Sequence, residues 1–317
     1  MEKVIDVSNL VKKYGNFTAV NGISFEVEKG EVFGLLGENG AGKTTTLEMI
    51  EGLRKPSSGE ISVLGFDINS HLREIKERIG VQLQSSAYYH FLTLKEILDL
   101  FSGFYKKHSD PKELLKMVHL ESKANNFVDK MSGGQQQRFS IIASLINDPE
   151  IVFLDEPTTG LDPLARRQTW DIISEIKKQG KTIILTTHYM EEAEILCDRV
   201  AIMEKGKIVA MDKTHQLIEH TKHPYRVEFI LEKDKPEIIS QLQKSCRLDE
   251  CDIKKLPGKE AHYEMKLKTQ TDLNEAVGLL QKENPESLTV GRATLEDVFI
   301  ELTGKAIAQE EAEEENA

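Results

Sequence analysis

"EVFGLLGENGAGKTTTLEMIEGL", residues 31–53, decides the fold. Val32, Phe33, Leu35 and Leu36 make a short continuous apolar run, the mark of a strand covered on both faces by helices in a parallel sheet. The run breaks into a loop of Gly37, Glu38, Asn39, Gly40, Ala41 and Gly42, and "TTTLEMIEGL" then reads as a helix. This is G-x-x-x-x-G-K-[ST] in the strand–loop–helix setting its mechanism requires. The glycines let the backbone fold tightly around phosphate oxygens. Lys43 brings a charge to the β- and γ-phosphates, the Thr44 hydroxyl can ligate Mg²⁺, and Thr45 can add a phosphate contact. A dinucleotide fingerprint is excluded because "GENGAG" runs on into "KTT".

The rest of the chain supplies the sheet. "IVFLDEP" (151–157) and "KTIILTTH" (181–188) are apolar runs of the same kind, ending in polar loops. The first delivers Asp155 to its carboxyl end, where it can hold Mg²⁺, with Glu156 beside it to polarise an attacking water. The second delivers His188 to the same sheet edge, where an imidazole can donate to a γ-phosphate and sense its loss. Asp162 reads as an N-cap with Pro163 at the first helical position. That helix ends before Gly180 and buries Ile172, Ile173 and Ile176. Residues 1–28 read as antiparallel β structure, Ile23, Phe25 and Val27 alternating with polar residues. From about Ser85 to Lys130 only amphipathic helices are legible, "LTLKEILDLFSGFY" and "DPKELLKMVHL", the second with Asp110 as cap.

"MSGGQQQR" (131–138) is a second anion site, a serine and two glycines opening a helix whose free N–H groups point outward. Together, "GENGAGKTT", the glutamine after "RIGVQL", "MSGGQQQR", "IVFLDEPTTGLD" and "ILTTH" resemble the ATP-binding subunit of an ABC transporter over residues 1–220. The resemblance implies a P-loop NTPase with a parallel-sheet core, an N-terminal antiparallel β subdomain and a helical insertion at about 85–147. It implies ATP and Mg²⁺ as ligands and a head-to-tail dimer, an identical copy being expected, in which each signature caps the γ-phosphate held by the other chain. Ser132, Gly133, Gly134 and Gln135 would then contact ATP across the interface, with Met131 where the family more often has leucine, a volume-conserving exchange. Gln84 corresponds to the glutamine that reaches metal and water, Gln82 being the other candidate. Asp162 corresponds to the aspartate linking the two composite sites, a role compatible with capping. Tyr14 stands where the family stacks an aromatic ring on adenine, a core tyrosine being the other reading. Tyr88, Tyr89 and Phe91 either line the groove that docks a membrane partner or pack the insertion core.

After a boundary near "HTKHPYR", residues 224–304 read as βαββαβ and a final helix, a small ferredoxin-like α+β domain that either dimerises or regulates, or simply stabilises. The ending "RATLEDVFIELTG" resembles the branch of single-domain ATPases that includes daunorubicin-type drug exporters, which implies efflux with a separate integral membrane permease. Residues 305–317 read as a disordered acidic tail.

Composition agrees. Of 317 residues, 39% are apolar and 30% charged, which suits globular domains, and the net charge of −12 argues against nonspecific nucleic-acid binding. No apolar run reaches the ~18 residues of a membrane span, and "MEKVIDVSNL" lacks a signal-peptide pattern. Cys197, Cys246 and Cys251 read as free thiols in a reducing compartment. The expected place is the cytoplasmic face of the cell membrane, held there by the permease. A soluble ABC-type ATPase acting on DNA or ribosomes is the competing reading. Those carry a long coiled coil or a second ATP domain, and this chain has neither.

Overall fold

The computed structural model describes residues 2–83, 88–245, 251–256 and 261–304. Gln84, Cys246 and the acidic tail lie outside the described residues. The chain divides into two compact units, Met1–Thr214 and His215–Ala317, a few residues before the join expected near 220–224.

The first unit begins with the hairpin β1 (Lys3–Tyr14) and β2 (Phe17–Glu28). β3 (Val32–Leu36), buried throughout, leads through the glycine loop into α1 (Lys43–Ile50). β4 (Ser58–Val63) and β5 (Phe66–Asp67) then complete an antiparallel sheet of order β2-β1-β4-β5. α2 (Leu72–Lys76) and β6 (Ile79–Gln82) return the chain to the core. The helical insertion follows, with α3 (Leu94–Ser102), α4 (Pro111–Met117) and α5 (Gly133–Ala143). Asp110 accepts from the Lys112 N–H at 2.8 Å, the cap its position predicts.

β7 (Ile151–Asp155), α6 (Pro163–Lys178), β8 (Thr182–Thr187), α7 (Met190–Leu196), β9 (Arg199–Glu204) and β10 (Lys207–Lys213) finish the unit, and α8 (Thr214–Glu219) spans the division. The central sheet has the order β10-β9-β3-β8-β7-β6, parallel except for β10, which forms a hairpin with β9. β3, β7 and β8 are buried at every residue, as apolar runs covered on both faces must be. Phe25 of β2 stacks on Phe33 of β3 at 5.2 Å, so the antiparallel sheet and the core sheet share one apolar cluster. Asp162 caps α6, Pro163 is its first residue, and Ile172, Ile173 and Ile176 are buried together with Trp170, which the isoleucine pattern had not singled out. The order β3-β8-β7 places the loops after those three strands side by side at the carboxyl edge, where ligands bind in open α/β sheets.

The second unit contains β11 (Tyr225–Ile230), α9 (Pro236–Ser245), β12 (Cys251–Lys255), β13 (His262–Leu267), α10 (Gln270–Lys282), β14 (Ser287–Arg292) and α11 (Leu295–Thr303). Its sheet is antiparallel with order β12-β13-β11-β14, the ferredoxin-like arrangement. Val227, Phe229, Leu242, Met265, Ala276 and Leu280 form its core. Gly304, at φ 73°, ends α11 in the left-handed conformation that glycine adopts freely.

Candidate functional site: a nucleotide-binding sheet edge and a second anion pocket

The glycine loop is shaped by its neighbours. Gly42 caps α1 at φ 100°, and a Cβ there would stand 2.5 Å from the Ala19 carbonyl oxygen of β2. A Cβ on Gly37 would lie 2.4 Å from the Met203 carbonyl oxygen of β9. Packing, as well as phosphate approach, therefore demands glycine at both positions. Lys43 is buried, its Nζ donating to the Gly37 carbonyl at 2.8 Å and the Glu38 carbonyl at 3.0 Å. The ammonium curls back into the loop that would wrap phosphates.

The three strand ends bring the expected groups together. Asp155 Oδ1 accepts from Thr44 Oγ1 at 3.1 Å and from Thr186 Oγ1. Burial pushes the Asp155 carboxyl above its usual range, against the Thr186 and Thr44 hydrogen bonds. A buried carboxylate in that position favours the arrival of a cation, and two hard oxygens 3.1 Å apart fit Mg²⁺, which takes few protein ligands and completes its shell with phosphates and water.

Glu156 lies between two bases. Its Oε1 is 3.3 Å from Lys43 Nζ and its Oε2 3.4 Å from His188 Nδ1, with all three side chains under 10% exposed. Burial works against its ionisation, but His188, the Lys43 charge and the Thr159 hydroxyl override it and hold the carboxyl down at about 2. Burial in turn pulls the Lys43 pKa below its usual value, with Glu156 opposing. Glu156 also has φ 47°, a left-handed backbone costly for a side chain of its size and a recurring feature of functional loops. Its N–H donates to the Thr186 carbonyl at 3.2 Å and hydroxyl at 3.0 Å, and its Oε2 accepts from Thr159 Oγ1 at 3.0 Å. Thr186 and Thr159 were not found from the sequence. The only signal was a hydroxyl-rich end to each of two apolar strands.

The second anion site is built separately. Ser132 caps α5, its N–H donating to Gln135 Oε1 at 3.1 Å. Ser132, Gly133, Gly134 and Gln135 line a cavity of about 440 Å³ with Arg138, Gly160 and Asp162, and no residue of the 37–45 loop takes part. A Cβ on Gly134 would lie 2.9 Å from the Ala165 Cβ, so that glycine serves packing against α6. A Cβ on Gly133 would meet no described residue within 4 Å, so nothing among the described residues asks for glycine there. Asp162 Oδ1 accepts from the Leu164 N–H at 3.0 Å and the Ala165 N–H at 2.9 Å. It caps its helix and lines the pocket at once.

Tyr14 is 41% exposed, which sets aside the core reading, and its ring carries Lys12 Nζ at 5.2 Å and the Arg54 guanidinium at 5.6 Å. Gln82 is buried, its Nε2 donating to the Leu83 carbonyl at 2.6 Å. Tyr88 lines a groove of about 460 Å³ with Val81, Leu83, Phe101, Phe104 and Tyr105, and packs edge-on against Phe139 at 5.2 Å. Tyr89 and Phe91 point outward, 55% and 75% exposed. Among the described residues no helix is long and apolar enough to cross a membrane.

Comparison with known proteins bears on this arrangement. The ABC transporter family model matches residues 20–159. A Nod factor export ATP-binding protein I from Ralstonia nicotianae is 37% identical over 312 residues, covering 95% of this chain and 94% of that protein. One from Rhizobium meliloti is 39% identical over 308 residues, covering 96% and 89%. Among solved structures, an ATP binding subunit of an ABC transporter matches with a TM-score of 0.61 at 30% identity, over 68% of this chain and 91% of that one. A dimeric post-hydrolysis ATP-binding cassette with ADP and Pi matches with a TM-score of 0.60 at 28% identity, over 66% and 98%.

Proposed function

We propose, for a chain that belongs to the ABC transporter ATP-binding family, that it binds and hydrolyses ATP to drive an export system through a separate membrane subunit. The observation that carries this is the junction of Lys43, Glu156 and His188 at one sheet edge, beside Asp155 and Thr44. Lys43 and the loop from Gly37 to Thr45 hold the phosphates. Glu156 orients and deprotonates the attacking water, and His188 holds the γ-phosphate. Thr44 and Asp155, with Gln84, would hold Mg²⁺, which when bound neutralises charge on the phosphates. Tyr14 offers an exposed ring for adenine.

Two copies pack head to tail, so that Ser132, Gly133, Gly134, Gln135 and Asp162 of one chain complete the site of the other. The open space at Gly133 and the separation of the two anion sites within one chain support this. The groove at Tyr88, whose lining includes the exposed Phe104, receives the membrane subunit, and that subunit holds the chain on the cytoplasmic face of the membrane. The second unit is an accessory domain. Export rests on the names of the relatives and on the C-terminal resemblance.

The test is ATP turnover by the full chain. Glu156→Gln should bind ATP and scarcely turn it over, and near wild-type turnover in that variant would remove Glu156 from the role of base. Co-purification with ribosomes or DNA instead of a membrane protein would favour the soluble alternative.

A further inference from the structure

Glu192, in the first turn of α7, is fully buried and has no part in the functional reading above. Its Oε1 receives two hydrogen bonds, from Thr158 Oγ1 at 2.8 Å and from the Trp170 indole Nε1 at 3.0 Å. Its Oε2 is buried and makes no hydrogen bond of good geometry among the described residues. A leucine could fill comparable space without the cost of desolvating a carboxyl group. The location of the two donors is informative. Thr158 belongs to the loop that starts at Glu156 and ends at Asp162. Trp170 lies on α6, the helix that Asp162 caps. Glu192 follows His188 by four residues, on the helix that opens immediately after it. One carboxyl group therefore joins the three segments that carry Glu156, Asp162 and His188. Burial pushes its pKa up, against the Thr187, Thr158 and Trp170 hydrogen bonds and the Arg166 charge.

We propose that Glu192 is a positioning residue for ATP hydrolysis: it ties the Glu156–Asp162 loop and α6 to the His188 turn, so that the groups on both sides of the γ-phosphate move as one body. This rests on the roles given above to Glu156 and His188. Trp170 is the only tryptophan of the chain and bonds directly to the tie, so its emission reports on the tie itself.

The experiment compares the full chain with Glu192→Gln, Glu192→Leu and Thr158→Val. Steady-state kcat and KM for Mg·ATP are measured, with Trp170 emission before and after Mg·ATP and a thermal melt of each protein. Glutamine keeps an oxygen for both donors and should hold kcat within about threefold of wild type. Glu192→Leu should lose at least ~10-fold in kcat with KM within about threefold, because phosphate binding belongs to the 37–45 loop. Thr158→Val should fall in the same direction by less. The emission change on adding nucleotide should persist in Glu192→Gln and vanish in Glu192→Leu and Thr158→Val.

Full kcat in either Glu192→Leu or Thr158→Val overturns the proposal, as does Glu192→Gln being as damaging as Glu192→Leu. So does a loss of kcat matched by an equal loss of nucleotide binding. If Glu192→Leu does not fold, Thr158→Val decides alone. Glu156→Gln is the control: turnover in that variant sinks the catalytic reading itself, whereas an inactive Glu156→Gln beside a fully active Glu192→Leu sinks only the tie.

Discussion

Glu156→Gln should cost stability as well as turnover, and the amount follows from the geometry. Lys43 and Glu156 form an ion pair whose side chains are 4% and 6% exposed. With glutamine at 156, Lys43 keeps the Gly37 and Glu38 carbonyls but has lost its anion. Folding takes the Glu156 carboxyl from the ordinary 4.5 to about 2, a drop equivalent to about 3 kcal/mol. That value is a ceiling for the ion pair, since His188 and the Thr159 hydroxyl share in the shift and Lys43 is desolvated with either neighbour. Because folding depresses this pKa, the stabilisation is fully present above about pH 4.5 and disappears as the pH falls through about 2. The assay is urea unfolding of the nucleotide-free chain followed by Trp170 emission, which reports on the first unit alone. At ~2 kcal/mol per M the variant's midpoint at pH 7 should fall by about 1–1.5 M. At pH 3 more than half of the gap should be gone. Saturating Mg·ATP should also shrink it, since the phosphates give Lys43 a new anion. Equal midpoints at pH 7, or a gap unchanged at pH 3, would refute the ion pair as a source of stability.

Gly42→Ala should weaken binding of labelled ATP at least ~10-fold and lower stability by about 2 kcal/mol or more, since its Cβ meets the Ala19 carbonyl at 2.5 Å and its φ is 100°. His188→Ala should cut turnover by about 100-fold with a much smaller loss of ATP affinity in the same titration, because the variant loses both the γ-phosphate contact and the second neighbour of Glu156. Ser132→Arg in a Glu156→Gln background should still bind ATP as a protomer and yield no ATP-dependent dimer by light scattering. A dimer there would place the interface elsewhere.

The parts of the site legible in the sequence are those whose chemistry lies in consecutive residues. The 37–45 loop, Asp155–Glu156 and the Ser132 cap are local, and the apolar runs before the first two fix which sheet edge those occupy. The hydroxyls of Thr186 and Thr158 and the carboxyl of Glu192 are different. Their partners can lie some 30 residues away in sequence, as for Thr186–Asp155 and Thr158–Glu192, so no local pattern announces them. β6 is four residues long, too short for periodicity to separate it from a loop, and β9 and β10 show in the sequence only through the Lys205–Gly206 turn between them. The left-handed backbone at Glu156 is likewise invisible in composition, because glutamate there is chosen by chemistry against its own conformational preference.

On the head-to-tail reading, the loop from Glu156 to Asp162 gives a reason for two anion sites in one chain. At one end Glu156 faces the Lys43 of its own P-loop. At the other, Asp162 lines the pocket at the start of α5, into which nothing from that P-loop reaches. On the head-to-tail reading, a partner's nucleotide seated against Ser132 and Gly133 presses on Asp162. The internal hydrogen bond from Thr159 to Glu156 carries that contact toward the carboxylate of the first site. Glu156 at a pKa of about 2 is a feeble base while it is paired with Lys43. It becomes useful only when phosphates draw the lysine away, and on the same reading a closed second copy bears on its loop from the Asp162 end. Loading of one site and closure at the other are then both conditions for chemistry, and an isolated protomer saturated with ATP should turn over more slowly per chain than the same protein at concentrations where it dimerises.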